Sequence, residues 1–283
     1  MTSFQVGRFL ALLKKEFLEN RSLIVGAPAV LALSLFVLNF LIVSQLGPER
    51  IILGLEFLNR WFDGQSPIET APIISLLAFP FGIIFFFCSV IYLLNALYQD
   101  RRDMSILFWQ SMPVSNLQTV LSKIVTVMVV SPAFLVACMS ALYFLLIISL
   151  TFLGLRNEVE VAGFGYLLAA VFINLVIFYL FIATSVLWLL PLVGWLLLFS
   201  AFARKAPMLW AIGVYFLLGF LEEFVFGSQF LSNWAQTRFD PDNFIIIEFI
   251  GLADRFLSYD MFIGIVVGTI LISGAVYMRS FVD

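Results

Sequence analysis

The first candidates for chemistry are two adjacent glutamates, Glu222 and Glu223, at the edge of an otherwise uncharged run. Paired carboxylates in such a position can be catalytic, because neighbouring charges and burial shift their pKa values. The chain contains no histidine, which removes His-based triads, most zinc sites and proton relays built on imidazole. We therefore favour an outward-facing helix end for this pair, and a substrate-gating role stays open as the alternative.

Other motifs of enzymes are missing as well. One family of intramembrane proteases combines a Glu-Glu-x-x-x-Arg motif with histidines on later helices, whereas here the position of that arginine is Gly227. The chain has no Gly-Lys dipeptide and no Gly-x-Gly-x-x-Gly pattern, so it lacks the usual phosphate-binding loops. Cys88 and Cys138 stand in apolar runs without metal or disulfide spacing. We expect no catalytic residue, no metal site and no cofactor in this chain.

The composition predicts a membrane protein. Of the 283 residues, 63% are hydrophobic and 12% are charged, whereas a soluble domain carries about a quarter charged residues. Such a chain has too little polar surface to cover itself in water. Uncharged runs long enough to cross a bilayer as helices are Ser22–Pro48, Thr70–Gln99, Ile124–Leu155, Val161–Ala203, Ala206–Leu221 and Met261–Met278.

The fourth run, Val161–Ala203, is either one long helix kinked at Pro191 or two short crossings. One crossing gives six spans with both termini on the same side. That side then holds ten basic residues, namely Arg8, Lys14, Lys15, Arg21, Arg101, Arg102, Lys123, Arg204, Lys205 and Arg279. The other side holds five, namely Arg50, Arg60, Arg156, Arg238 and Arg255. By the positive-inside rule both termini are cytoplasmic, and thirteen of the 18 acids lie outside.

The first 21 residues predict an amphipathic helix at the membrane interface. Val6, Leu10, Leu13 and Phe17 recur at helical steps, and Lys14 and Lys15 lie among the polar positions. A cytoplasmic helix packed on protein is the alternative. In the last uncharged run, Gly264 and Gly268 form a small-xxx-small pair, which we expect to pack within the subunit.

Residues 98–116 predict a short cytoplasmic helix between the second and third spans. Asp100 is expected to be its N-cap, with Asp103 at the third helical position, where a negative charge is favourable. Ser115 to Gln118 form a capping box that starts the next span. The helix would present an apolar and aromatic patch with a charged rim, which suits a protein interface; a helix at headgroup level is the alternative. The residues of this segment are Asp100, Arg101, Arg102, Asp103, Met104, Leu107, Phe108 and Trp109.

Three stretches together resemble the permease subunits of ATP-binding-cassette exporters of the type-2 permease class. They are LLKKEFLENR, LYQDRRDMSILFWQSMPVS and LPLVGWLLLFSAFARKAPMLW. The resemblance implies a single permease domain over 1–283, all-α, with an elbow helix (1–21), six spans and a coupling helix (98–116). Residues 222–258, with Trp234, would form an extracytoplasmic segment between spans five and six.

The resemblance also implies the partners. Two cytoplasmic ATPase subunits would bind ATP and magnesium, and a second permease copy would complete the pathway in a bacterial inner membrane. No nucleic acid is expected. The cargo stays open between lipidic, peptide and drug-like molecules. A structural or sensory membrane protein and a membrane-embedded enzyme, both without an ATPase partner, are the alternatives.

Overall fold

The computed structural model describes residues 3–103, 114–240 and 249–281. Every regular element in these ranges is a helix, as expected for an all-α membrane protein. Six helices are long and apolar enough to cross a membrane, in agreement with the six predicted spans. They are Ser22–Gln45, Pro67–Arg102, Asn116–Arg156, Phe164–Trp188, Pro207–Phe226 and Tyr259–Arg279, here called the first to sixth spans.

Shorter helices lie before the first span and between the spans. They are Ser3–Glu19, Pro48–Phe62, Leu190–Phe202, Phe230–Arg238 and Phe249–Phe256. Two spans contain a single wide turn with π-helical hydrogen bonding, at Ser22–Gly26 and Thr126–Val130. The second span begins with the helix Pro67–Ile74 and includes Tyr98–Arg102 as its last short helix.

The fourth uncharged run divides into a long helix and a short one. The long helix ends at Trp188, and Leu189 has φ −89° and ψ 18°, outside the helical range. Pro191 then lies in the first turn of Leu190–Phe202, where its missing N–H costs nothing. Thirteen residues span about 20 Å, too short to cross about 30 Å of hydrocarbon. The interruption supports the single-crossing interpretation of this run and lies two residues before the expected kink.

The chain divides into two compact units. The first contains Met1–Asn20, Phe87–Val130 and Ile182–Asp283. In its core, Leu190–Phe202 packs along the sixth span. A Cβ atom added at Gly194 would lie 2.8 Å from the Gly268 carbonyl oxygen, and one added at Gly268 would lie 2.7 Å from the Leu190 carbonyl carbon. The two glycines therefore allow the helices to approach at backbone contact. Gly268, the second residue of the small-xxx-small pair, therefore packs within the subunit, as predicted.

The second unit contains Arg21–Phe86 and Ser131–Phe181. The first span packs along the helix Ser131–Arg156 in this unit. Pro48–Phe62 is an amphipathic helix that buries Leu55 and exposes Leu53 and Phe57.

The N-terminal helix Ser3–Glu19 belongs to the first unit and packs against the start of the third span through a face that differs from the predicted apolar one. Leu12 and Glu16 are buried, whereas Val6 is 45% exposed and Leu10 is 58% exposed. The exposed apolar side chains are available to lipid, and the buried face carries a charge. The physical reason is that Glu16 finds cationic partners inside the unit, as described next.

Candidate functional site

A cluster of buried ionic side chains lies within the first unit. It draws on segments that are far apart in the sequence: the N-terminal helix, the end of the second span, the start of the third and the end of the sixth. Its members, here called the ion cluster, are Lys15, Glu16, Tyr92, Asp100, Lys123 and Arg279.

Lys123 lies at the centre of the ion cluster. Its Nζ atom is 2.9 Å from Glu16 Oε1 and 3.5 Å from Asp100 Oδ2. The other Glu16 oxygen, Oε2, accepts a hydrogen bond of 2.8 Å from the Tyr92 hydroxyl. Because Lys123 and Glu16 are each nearly inaccessible to solvent, their charges depend on each other for stabilisation.

Asp100 joins two further cations to the ion cluster. Its Oδ1 atom is 3.5 Å from Lys15 Nζ, and its Oδ2 atom is 3.5 Å from Arg279 Nη2. Lys15 also lies 3.3 Å from the exposed Glu19. The ion cluster itself holds two acids, Glu16 and Asp100, against three bases, and the exposed Glu19 supplies a third carboxylate through its contact with Lys15. Such a network contributes mainly to positional specificity, since desolvation offsets much of the Coulomb attraction.

The predicted role of Asp100 as an N-cap is wrong. The helix Tyr98–Arg102 begins one turn earlier, with Leu97 at the N-cap and no side-chain hydrogen bond there. Asp100 is 6% exposed because its carboxylate turns toward the cations of the ion cluster rather than toward a helix end. Asp103, expected in the first turn, instead follows the last helical residue and pairs with Arg102 at 3.0 Å on the surface.

Tyr98–Arg102 is also fastened to the end of the helix Leu190–Phe202. The Ser200 hydroxyl oxygen accepts hydrogen bonds from the backbone N–H groups of Leu97 at 2.9 Å and Tyr98 at 3.0 Å. The Arg101 guanidinium donates to the carbonyls of Phe202 at 3.2 Å and of Ala201. The Arg101 side chain therefore attaches this segment to the neighbouring helix, whereas the sequence suggested a place in the charged rim of the predicted coupling helix. The sequence offers no signal for Ser200, because its partners are backbone groups 103 and 102 residues away.

The rest of the predicted coupling segment is only partly visible. Met104, Leu107, Phe108 and Trp109 lie outside the described residues. The capping box after them is confirmed: the Ser115 hydroxyl accepts from the Gln118 N–H at 3.2 Å, and the Gln118 side chain accepts from the Ser115 N–H at 3.2 Å.

Glu222 performs a local structural task at the end of the fifth span. Its carboxylate accepts hydrogen bonds from the Ser228 hydroxyl at 2.8 Å and from the Leu231 N–H at 2.9 Å, and a third from the Phe230 N–H. Phe230 and Leu231 begin the helix Phe230–Arg238, and their N–H groups would otherwise have no intrahelical acceptor. Glu223 makes a longer bond of 3.3 Å, from the Gln229 side chain.

A buried arginine organises the segment between the fifth and sixth spans. Arg238 is 4% exposed, and its guanidinium lies 4.4 Å from the ring centre of Trp188 and 5.0 Å from that of Trp234. It donates to the carbonyls of Trp188, at 3.0 Å, and of Asp260, so it links the end of the fourth span to the start of the sixth. Gly264 makes room, because a Cβ there would be 2.5 Å from Arg238 Nη1.

Arg255 lies near the same tryptophan. Its guanidinium is 4.9 Å from the Trp188 ring centre and donates to the Ser185 hydroxyl at 3.1 Å. Burial, together with the neighbouring Arg238 charge, lowers the pKa of Arg255 to about 10. Burial also lowers the pKa of Arg238, against the opposing effect of Asp260. Both groups remain charged at neutral pH, where the aromatic faces stabilise them.

The sequence alone assigns no role to either arginine, since both enter only the count of basic residues on the two sides of the membrane. Residues 241–248 of the same segment lie outside the described residues. In the ranges that are described, no group of three or more His, Cys, Asp or Glu side chains could hold a metal ion.

Comparison of the chain with models of protein families, with curated proteins and with solved structures finds no match.

Proposed function

We propose that this chain is the transmembrane permease subunit of an ATP-driven exporter of the type-2 class. Two copies would form the substrate pathway in a bacterial inner membrane with both termini cytoplasmic. Two cytoplasmic ATPase subunits would bind ATP and magnesium and dock on residues 98–116. The permease itself would catalyse no bond chemistry.

The ion cluster is the observation that supports the proposal. It joins Tyr98–Arg102, the first part of the proposed coupling segment, to the N-terminal helix and to the third and sixth spans. Ser200 and Arg101 add a link to the helix Leu190–Phe202. A displacement applied to residues 98–103 would therefore move four other segments of the same unit. Such a connection is what rigid-body transmission from an ATPase to the spans requires.

The two rival functions have less support. A membrane-embedded enzyme would need converging catalytic groups, whereas the chain has no histidine and the Glu222 carboxylate already accepts three hydrogen bonds. A structural or sensory protein would have no need of the connection from residues 98–103 to the spans that the ion cluster provides. Copurification of a nucleotide-binding subunit with the chain would distinguish a transporter from a structural or sensory protein.

Reconstitution tests the proposal. The chain would be coexpressed with a candidate ATP-binding-cassette ATPase subunit, purified as a complex and placed in liposomes. We expect a complex with two ATPase subunits and two permeases, whose ATP hydrolysis rises when a cargo is added. An ATPase that neither copurifies nor changes its rate of hydrolysis when the permease is present would contradict the proposal.

A further inference from the structure

A groove of about 580 Å³ lies in the second unit. Its walls come from the end of the helix Pro48–Phe62, the turn that follows it, and the chain that leads into the fourth span. The volume falls within the range of about 300–1,000 Å³ that is usual for small-molecule sites. The topology predicted from the basic residues places these segments on the outer side of the membrane.

Hydrogen bonds hold the walls in place. The Asn59 side chain donates to the Glu160 carbonyl and accepts from the Ala162 N–H at 3.1 Å. It thereby holds the chain before the fourth span against the helix Pro48–Phe62. The Tyr166 hydroxyl donates to the Gln65 carbonyl at 3.2 Å and thereby fixes the Tyr166 ring. Gly64 takes the left-handed conformation, with φ +72°, that the turn requires. The groove is thus formed before any ligand arrives, which lowers the entropic cost of binding.

The groove carries an excess of negative charge. Asp63 and Glu160 both line it and are both exposed, and neither forms an ion pair with any residue that the structure describes. Arg60 lines it too, but its guanidinium is 3.6 Å from Glu56 on the same helix. A cationic group in the groove would therefore meet two carboxylates and one base that already has a partner.

An aromatic pair supplies the apolar part of the groove. The rings of Phe62 and Tyr166 are 6.1 Å apart and inclined at 58°, and both residues line the cavity. Ring faces attract cations, substituted ammonium groups above all. Among the described residues no cluster of three metal-binding side chains occurs, so the arrangement suits an organic cation better than a divalent metal ion.

We propose that this groove binds an organic cation, with a substituted ammonium group beside Asp63 and Glu160 and its apolar substituents against Phe62 and Tyr166. If the bound cation is the cargo, this inference rests on the proposed transport function, and it then names the chemical class of the transported molecule. Binding itself requires no ATPase. The two proposals can therefore fail separately.

Calorimetric titration of the purified chain in maltoside micelles tests the site, with benzyltrimethylammonium chloride as the probe. We expect saturable binding at one site per chain. Asp63→Asn with Glu160→Gln should weaken it at least about tenfold, and Tyr166→Leu should weaken it about threefold to thirtyfold, as loss of a cation–aromatic contact predicts. Tyr166→Phe keeps the ring and should retain most of the affinity.

Matched controls separate charge from shape and from folding. Glu49→Gln changes an exposed acid on the same helix, outside the groove, and should bind as the unchanged chain does. Choline should displace the probe, whereas the neutral 3,3-dimethyl-1-butanol should not. If thermal unfolding shows that the double variant does not fold, the two single substitutions replace it.

The source of the ammonium group is tested by competition. Displacement of the probe by dihexanoylphosphatidylcholine, but not by dihexanoylphosphatidylglycerol, would identify a lipid headgroup as the ligand; displacement by choline alone would identify a free cation. Both outcomes support the site. Absence of saturable binding, undiminished binding by the acid variants, or displacement of the probe by millimolar calcium would overturn it.

Discussion

Lys123 Nζ lies 2.9 Å from Glu16 Oε1, and each of the two side chains is 2% exposed. This contact attaches the N-terminal helix to the start of the third span, across 107 positions of the sequence. A buried ion pair stabilises a fold only while both partners are present, because a lone charge cannot be hydrated there.

Removal of one member of this pair should therefore be costly. We expect Lys123→Met to lower the free energy of unfolding by about 3 kcal/mol or more, since it leaves Glu16 without its nearest cation. Lys14→Met, at an exposed position of the N-terminal helix, should change it little. Thermal unfolding in micelles measures both. In a double-mutant cycle with Glu16→Gln, the two effects should not add; additive losses would show that the pair is not coupled.

The contact between Leu190–Phe202 and the sixth span leaves no room for a methyl group. Gly268→Ala should destabilise the chain by about 1–3 kcal/mol, the usual range for overpacking, because the new Cβ would meet the Leu190 backbone. Gly213→Ala is the control, since nothing lies within 4 Å of a Cβ there. Equal unfolding temperatures for the two variants would rule out the close packing.

Glu222 and Glu223 can be told apart by substitution. Glu222→Ala should loosen the start of the helix Phe230–Arg238, because three donors lose their acceptor, and hydrogen exchange at residues 230–234 should rise. Glu223→Ala should leave that exchange unchanged. Glu222→Gln with Glu223→Gln tests the gating alternative: altered transport with intact assembly would support it, and unchanged transport of every cargo tried would remove it.

The proposed coupling segment, residues 98–116, offers a direct test of the proposed ATPase contact. Leu107→Ala with Phe108→Ala should leave membrane insertion intact and weaken copurification with the ATPase roughly thirtyfold, as loss of about 2 kcal/mol at an interface anchor predicts. Transport should fall in parallel. Arg102→Ala is the matched control, because Arg102 is 57% exposed and pairs only with its neighbour Asp103 among the described residues. If the double variant still binds the ATPase as strongly as the unchanged chain does, this segment is a helix at headgroup level and not the docking site.

Arg101 is unsuitable as a control for that experiment. Its bonds to the carbonyls at the end of Leu190–Phe202 mean that Arg101→Ala should loosen the attachment of Tyr98–Arg102. We therefore expect Arg101→Ala to weaken coupling between the ATPase and the spans more than Arg102→Ala does.

Cysteine labelling checks the topology. In a chain whose native cysteines are replaced, Glu158→Cys should react with an impermeant reagent from outside and Lys205→Cys only from inside. Both positions are exposed. The expectation follows from ten basic residues on one side against five on the other. Reaction of residue 205 from outside would mean that 161–203 crosses the membrane twice.

The six long helices were predictable from the sequence because their cause is local. An uncharged apolar run must satisfy its backbone hydrogen bonds within itself in lipid, so its length alone predicts a helical span. The capping box at Ser115 and Gln118 was predictable for the same reason, as its partners are three residues apart. The pair Gly264 and Gly268 also signalled close packing, although not the neighbours that fill the space.

The ion cluster could not be predicted in this way. Asp100 at the start of a short helix has the local pattern of an N-cap, and only the fold brings Lys123 and Arg279 within 3.5 Å of its carboxylate. A buried acid gains more from two cations than from one backbone N–H, so the tertiary partners prevail over the local preference.

The sequence by itself determined that this chain spans a membrane as helices, because hydrophobicity and span length are properties of each segment alone. The tertiary structure decided which charges are buried together, which carbonyl groups accept hydrogen bonds from the buried Arg238, and which residues line the groove at Asn59. Those contacts join residues tens to hundreds of positions apart. Their energies depend on distance and burial, which no local pattern of residues specifies.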